Sequence, residues 1–333
     1  MKQIFIFIST ILLIAGCSNK MDDQVKWTQY DNNPVFTTKP GSWDEGTISA
    51  PMVVMFKDTL RMWYEGSSVY GFDGNMHIGY SWSLDGISWE RGTDGPVLTA
   101  QVEDKHLVLP KVIVDGDTLR MWFGGGNILV SGGVNIRYAV STDGINWIRY
   151  PNPVIKPDKA WCKDGVLPGG VIKENGVFKM WFSGGISHYG YPTTELKWGV
   201  GLATSPDGIH WTLSDEPVLR HGSGSDFDLN AANCGTVLKT GSGYKMWYFG
   251  WRSGTSTTPP TGDIGYATSA NGIVWEKFKG NPVLSADTAT STFGNAFLEP
   301  CVLFDGKKYR MWFAAWHGAT PSIGYATSND IEP

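Results

Sequence analysis

Two glutamates are the strongest candidates for acid–base chemistry, because each replaces a small or apolar residue of an internal repeat. Where Glu65 stands, the other repeats have Gly124, Ser183, Phe249 and Ala314. Where Glu299 stands, the other repeats have Ala50, Leu109, Pro168 and Asn233. A residue shared by all repeats is most simply structural, whereas an isolated carboxylate needs another reason. Two carboxyl groups with different pKa values are what acid–base or nucleophilic cleavage of a glycosidic bond requires.

Further acids precede the first strand of four of the five predicted repeats, and we expect them to converge on the same channel mouth. They are Asp44, Glu45, Glu103, Asp104, Asp164, Asp226 and Asp228. Asp44 and Asp228 each follow an aromatic residue, Trp43 and Phe227 respectively. The alternative for this pair is therefore a repeated motif that caps a turn.

The repeat that positions these acids is a short strand containing Met-Trp, as in TLRMWYEG (59–66). The pair recurs 59 to 66 residues apart, at Met62, Met121, Met180, Met246 and Met311. Asp-Gly or Asn-Gly turns separate the neighbouring strands, as expected for hairpins. Each repeat therefore reads as a four-stranded antiparallel sheet, and a period of this length predicts a repeat fold of small sheets.

The predicted fold is an all-β, five-bladed β-propeller. The blades are expected at about 43–98, 102–155, 161–219, 226–284 and 292–330. The last blade lacks a fourth strand, and residues 27–36 resemble that strand in the other blades. We expect residues 25–36 to pair with the fifth blade and close the ring. The propeller domain then covers 27–333, and its long variable loops mark the face that binds ligands.

The N-terminal residues predict export and a lipid anchor. Residues 1–17 combine a basic start with a short apolar stretch that ends in Leu13-Ile14-Ala15-Gly16-Cys17. This resembles a bacterial lipobox, which implies lipidation of Cys17, a tether over 18–26 and a location in the cell envelope, periplasmic or surface-exposed. The alternative is a plain secretory peptide. A net charge of −5 without a basic face argues against a nucleic-acid partner.

The remaining cysteines, Cys162, Cys234 and Cys301, cannot all pair with one another. Cys234 and Cys301 fall in equivalent strands of neighbouring repeats, so the sequence leaves open one disulfide or buried free thiols. No Cys/His spacing predicts a zinc site. We expect no cofactor, although the sequence does not decide whether a metal ion fills the channel.

Several loop residues on the ligand face predict binding of an oligo- or polysaccharide. An aromatic ring beside hydrogen-bonding groups suits a sugar, which has an apolar face and a polar edge. The candidates for substrate binding are Trp251, Arg252, Trp316, His317, His188 and Asp164.

The motifs MWYEG (62–66), IGYATS (264–269) and NPVL (281–284) together resemble one group of enzymes. This group is the five-bladed glycoside hydrolases of the arabinanase, levansucrase and invertase superfamily, which includes families 43 and 32. The resemblance covers about 27–330 and implies cleavage of furanosides in plant or microbial glycans by three carboxylates. It places Asp44 or Glu65 as base or nucleophile, Asp104 as the orienting carboxylate and Glu299 as general acid. Glu299 lies in blade five, whereas the family's acid lies in blade three.

Two other classes remain open. Glycoside hydrolase family 130, with mannoside phosphorylases and hydrolases, shares the expected fold and binds phosphate through basic residues. Arg252, His188, His317 and Lys111 are the candidates here. The other class is a glycan-binding propeller without catalysis, which would scatter its acids over separate pockets rather than pair them.

Overall fold

A computed structural model describes residues 25–72, 74–186, 197–252, 261–286, 296–316 and 321–329. This part of the chain is all-β, with a single short 3₁₀-helix at Ala160–Cys162. Two short N-terminal strands, β1 (Thr28–Gln29) and β2 (Phe36–Thr37), precede the repeats. The strands that follow repeat one antiparallel meander, and each repeat is called a unit below.

The units follow one another in chain order. Unit one contains β3 (Thr47–Phe56), β4 (Thr59–Ser67), β5 (His77–Ser83) and β6 (Glu90–Arg91). Unit two contains β7 (His106–Asp115), β8 (Thr118–Gly126), β9 (Val134–Ser141) and β10 (Ile148–Arg149). Unit three contains β11 (Gly165–Glu174), β12 (Val177–Ile186), β13 (Lys197–Ser205) and β14 (Thr212–Leu213). Unit four contains β15 (Ala231–Thr240), β16 (Gly243–Arg252), β17 (Thr261–Ser269) and β18 (Glu276–Lys277). Unit five contains β19 (Ala296–Phe304), β20 (Tyr309–Trp316) and β21 (Ser322–Ser328).

The Met-Trp pairs form the core of the units, as the repeat predicts. All five methionines and all five tryptophans are fully buried. The basic residue that precedes each pair lies over an aromatic ring, as Arg120 does over Phe178 at 5.2 Å. Arg61, Lys179, Lys245 and Arg310 make the same kind of contact. These five cations therefore stabilise the packing.

The same tryptophans connect successive units. Trp63 Nε1 donates to the Gly144 carbonyl at 2.9 Å, which links unit one to a turn of unit two. Trp122 and Trp181 donate in the same way to units three and four. Trp312 of unit five donates to Gly86 of unit one at 2.7 Å. The first strands also contact one another in this cyclic order, β3, β7, β11, β15, β19 and back to β3.

The N-terminal strands pair with the last strand of the chain. Thr28 is in register with Thr327, and Phe36 is in register with Ile323, both antiparallel. Trp27 packs edge-on against Trp247 of unit four at 6.2 Å between ring centroids. The N-terminal segment thus adds two short strands to the sheet of unit five.

The Ser-x-Asp-Gly turns between third and fourth strands are structural. Asp85 Oδ1 accepts the backbone N–H groups of Ile87 and Ser88, and these bonds lower the pKa of Asp85 to about 2. The equivalent Asp143 and Asp207 are bound in the same way. Among the described residues, no helix combines the length and the hydropathy that a membrane span needs.

Candidate active site

The two glutamates singled out by the repeat lie side by side. Glu65 is on β4, opposite Ser49 of β3, and Glu299 is on β19, which contacts β3. The Ser49 hydroxyl donates a hydrogen bond of 2.6 Å to Glu299 Oε2. Ser49 also stands directly opposite Glu65 in the register of β3 and β4. One serine therefore lies beside a carboxyl group of the first unit and binds a carboxyl group of the last.

Each glutamate also accepts a backbone N–H from the first strand of the following unit. Leu109 N of unit two donates to Glu65 Oε2 at 3.1 Å. Ala50 N of unit one donates to Glu299 Oε2 at 2.7 Å. Both carboxyl groups are thus held at junctions between units, where they cannot rotate freely.

A β-bulge in the first strand places Glu299. The register shifts between Leu298 and Cys301, and Glu299 adopts a left-handed φ of 56°. Ala50 and Leu109, at the same position in units one and two, have φ of 48°. Such a backbone is costly for residues other than glycine, but here the repeat imposes it. What distinguishes unit five is the carboxylate that the bulge carries.

Burial controls the electrostatics of the pair. Only 1% of Glu65 and 8% of Glu299 is exposed to solvent. Burial raises the pKa of Glu65 well above its usual range, and the neighbouring charge of Glu299 raises it further. Burial also raises the pKa of Glu299, against the hydrogen bonds from Ser49 and Ala50. The arrangement therefore favours keeping a proton on the pair, and on Glu65 first.

Lys111 is the buried cation that faces this pair. Its side chain is 3% exposed, and its Nζ donates to the Gly235 carbonyl of unit four at 2.9 Å. Burial lowers the pKa of Lys111, and the charges of Glu299 and Glu65 oppose that shift. The other units have Met52, Gly170, Thr236 and Cys301 at this register position. Lys111 is thus a third charged residue that the repeat does not require.

Asp44, predicted as a base or nucleophile, lies in a structural ion pair. It is fully buried, accepts a hydrogen bond of 2.9 Å from the Tyr64 hydroxyl, and pairs with Arg91 Nη2 at 2.9 Å. Asp228 of unit four copies the arrangement, with Tyr248 at 3.2 Å and Lys277 at 2.5 Å. Because the same constellation recurs in two units, it belongs to the repeat and is not particular to unit one.

Asp104 occupies the corresponding place in unit two, whereas Cys162 takes that place in unit three and Asp164 follows two residues later. Asp104 pairs with Arg137 at 2.6 Å and with Arg149 at 3.7 Å. Asp164 accepts a hydrogen bond of 2.5 Å from the Ser131 hydroxyl. The structure thus brings Glu65 and Glu299 together and holds Asp44 and Asp104 in separate ion pairs.

Three of the predicted substrate-binding residues lie at the ends of second strands, Trp251 and Arg252 on β16 and Trp316 on β20. Trp251 packs into an apolar cluster with Ala50, Leu109 and Phe249, next to the acid pair. Arg252 Nε donates to the Asp226 carbonyl at 3.2 Å. Trp316 meets Tyr70 edge-on at 5.8 Å. His188, His317 and Cys17 lie outside the described residues.

Comparison with known proteins identifies the family. The model of the glycosyl hydrolases family 32 N-terminal domain matches residues 154–332, more than half of the chain. The chain belongs to this family. It is also 31% identical over 236 residues to an uncharacterized protein of Mycobacterium tuberculosis (strain CDC 1551 / Oshkosh). That match covers 68% of this chain and 74% of the relative.

Two solved structures share the fold at low sequence identity. One represents glycoside hydrolase family 130, a family of mannoside phosphorylases that contains glycoside hydrolases targeting β-1,2-mannosidic linkages in Candida mannan. It is 16% identical, with a TM-score of 0.72 over 92% of this chain and 94% of its own. The other is the β-1,2-mannobiose phosphorylase from Listeria innocua, 17% identical, with a TM-score of 0.66 over 91% and 96%. Such similarity places this family 32 member among glycosidase-like propellers by fold.

Sequence comparison missed two polar residues of the site, Ser49 and Asn233. Asn233 was expected to be equivalent to Glu299, but strand register pairs it with Phe249, as Ser49 is paired with Glu65. Cys234 is therefore the true equivalent of Glu299. The spacing to the Met-Trp pair agrees, because Cys234 and Glu299 each stand 12 residues before the methionine of their unit, whereas Asn233 stands 13 before it.

Thiols and open space lie apart from the acids. Cys162, Cys234 and Cys301 are free and buried, which corrects the disulfide alternative. In the part of the chain that the structure describes, no cluster of three or more His, Cys, Asp or Glu side chains is suited to a metal ion. A cleft of about 480 Å³ lies between units one and two, lined by Asn75, Ala100, Gln101, Val102, Glu103, Lys105 and Asn127.

Proposed function

We propose that this family 32 member is a glycosidase whose acid and base are Glu65 and Glu299. One observation carries the proposal. Two buried carboxyl groups from different units lie beside Ser49, and among the described residues neither forms an ion pair of the kind that holds Asp44. Glycosidic cleavage needs one carboxylic acid to protonate the leaving oxygen and one carboxylate to act as base or nucleophile.

The hydrogen bonds assign the roles. The Ser49 hydroxyl has one hydrogen, and Glu299 Oε2 accepts it. Glu65 accepts one longer hydrogen bond, from Leu109 N at 3.1 Å, and both burial and the charge of Glu299 raise its pKa. Glu65 is therefore the acid, and Glu299, which accepts two hydrogen bonds on one oxygen, is the carboxylate. This reverses the roles that the resemblance implied for the two residues.

Lys111 completes the charge balance of the site. Two carboxyl groups and one ammonium are neutral together when one carboxyl keeps its proton. A buried cluster favours its neutral state because isolated charges are costly away from water. Lys111 thus keeps one acid and one base available at the same time, which catalysis needs.

The finer features of the proposal follow from the sequence. The five units would form one five-bladed propeller, closed by residues 25–36, and Cys17 would anchor it by lipid to the cell envelope. The substrate would be a furanoside of plant or microbial glycans. Trp251, Arg252, Trp316, His317, His188 and Asp164 would bind the sugar, without a cofactor.

Two alternatives each have an observation in their favour. The fold similarity to the Listeria phosphorylase favours a family 130-like reaction, in which phosphate rather than water accepts the sugar. The burial of both glutamates favours a sugar-binding propeller without catalysis. Both are outcomes of the same assay.

The assay measures product release from arabinan, fructan and β-1,2-mannobiose, with and without inorganic phosphate. We expect hydrolysis of one substrate that does not depend on phosphate, and a loss of about 10²- to 10⁴-fold in kcat for Glu299→Gln. A requirement for phosphate would indicate the phosphorylase. Equal turnover by the wild type and Glu299→Gln would rule out the proposed base, and tight binding without any product would indicate a binding protein.

A further inference from the structure

Asn233 is a buried amide with no hydrogen-bond partner among the described residues. Its side chain is 1% exposed, and within the described part of the chain neither Oδ1 nor Nδ2 is bonded. Leaving such groups unpaired is destabilising, because they lose their hydrogen bonds to water. Native proteins rarely accept that cost without a ligand or a function.

Strand register places Asn233 beside the acid pair. It stands opposite Phe249 on β16, in the position that Ser49 occupies opposite Glu65. β15 and β3 both contact β19, the strand that carries Glu299. Asn233 and Ser49 therefore occupy the same register position on the two first strands that neighbour the strand of Glu299. Phe249 packs with Ala50 and Leu109. The backbone N–H groups of these two residues bind Glu299 and Glu65.

The repeat shows that the fold does not need an amide at this level. The equivalent positions in units two, three and five are occupied by Val108, Leu167 and Leu298. Ser49 is the other polar member, and its hydroxyl is bound to Glu299. An apolar side chain would satisfy the packing at 233, so the amide has another purpose.

We infer that Asn233 binds a hydroxyl group of the sugar held next to Glu65 and Glu299. An amide offers both an acceptor and a donor, which matches a hydroxyl that can donate and accept. This inference rests on the proposed function for the identity of the ligand as a sugar. It does not require that the sugar be cleaved.

The test is thermal stability of Asn233→Leu with and without L-arabinose, D-fructose or D-mannose. Without sugar, the melting temperature should stay the same or rise, because an unpaired buried amide is removed. With sugar, the stabilisation seen in the wild type should require about tenfold more ligand. Asn281→Leu is the matched control, because Asn281 accepts from Tyr266 N at 2.8 Å and should lower the melting temperature when replaced.

Three results would overturn the inference. They are an unchanged sugar response in Asn233→Leu, a loss of stability as large as in Asn281→Leu, and a wild type that none of the three sugars stabilises. A failure of the proposed function looks different. In that case the wild type binds a sugar through Asn233, yet it releases no product from any glycan and Glu299→Gln changes nothing.

Discussion

The junction of units one and two and the junction of units three and four contain the same kind of hydrogen bond, but different side chains accept it. In both, a backbone N–H of the bulged first strand points at the second strand of the preceding unit. Leu109 N donates to the Glu65 carboxyl group at 3.1 Å, and Cys234 N donates to the Ser183 hydroxyl at 3.0 Å. A neutral hydroxyl is thus sufficient for the bond, and a buried carboxyl group is not needed for it.

The other junctions support this conclusion. Between units two and three, Pro168 has no N–H to offer and Gly124 has no side chain to receive one. Between units five and one, Ala314 has no acceptor, and Glu299 reaches Ala50 N instead. The fold therefore tolerates a serine hydroxyl as the acceptor, as in unit three, and it also tolerates a junction without this hydrogen bond, as between units two and three. The two carboxyl groups exceed what the architecture needs, which is why we assign them to chemistry.

The comparison predicts that Asp44 behaves like Asp228 and unlike Glu65. Asp44→Asn and Asp228→Asn each break a buried ion pair, which should destabilise the protein by about 3 kcal/mol. Neither should lower kcat of the folded protein by more than about twofold. Chemical denaturation and initial rates measure the two effects. A loss of kcat of about 10²-fold or more in Asp44→Asn alone would show that Asp44 is a catalytic residue.

Replacing Lys111 by methionine copies unit one, which has Met52 at that position. Removing the ammonium should raise the pKa of Glu299 and Glu65 further, because an opposing charge is lost. The acidic limb of the kcat/KM–pH profile should then move to higher pH by about one unit. Lys245→Met is the control, because Lys245 contacts Tyr309 rather than the acids. If both variants gave the wild-type profile, Lys111 would have no part in tuning the pair.

The sequence predicted the units, their turns and both glutamates, because these follow from periodicity and from departures from it. It did not predict that Asp44 and Asp104 are neutralised, since Arg91 and Arg137 are distant in sequence and come close only in the folded sheet. It also misplaced Asn233, although the constant spacing of 12 residues to the Met-Trp pair assigns Cys234 to the position of Glu299.

The pH dependence of stability should differ between the glutamates and the turn aspartates. Folding raises the pKa of Glu65 and Glu299, so their ionisation destabilises the folded state. The contribution of these two glutamates to stability should be greatest below their unfolded pKa of about 4.5. It should be lost as pH rises through their folded pKa. Glu65→Gln should therefore raise the melting temperature more at pH 7 than at pH 4. Asp85 has a lowered pKa, so Asp85→Asn should lower the melting temperature at pH 7.

The most direct test is to give unit one the side chain of unit three through Glu65→Ser. A serine can accept Leu109 N as Ser183 accepts Cys234 N, so the melting temperature should stay within about 2 °C of the wild type or rise. Turnover of the identified glycan should fall by at least about 10²-fold, because the acid is gone. A variant that keeps its turnover but melts at a much lower temperature would show that Glu65 serves the fold and not the reaction.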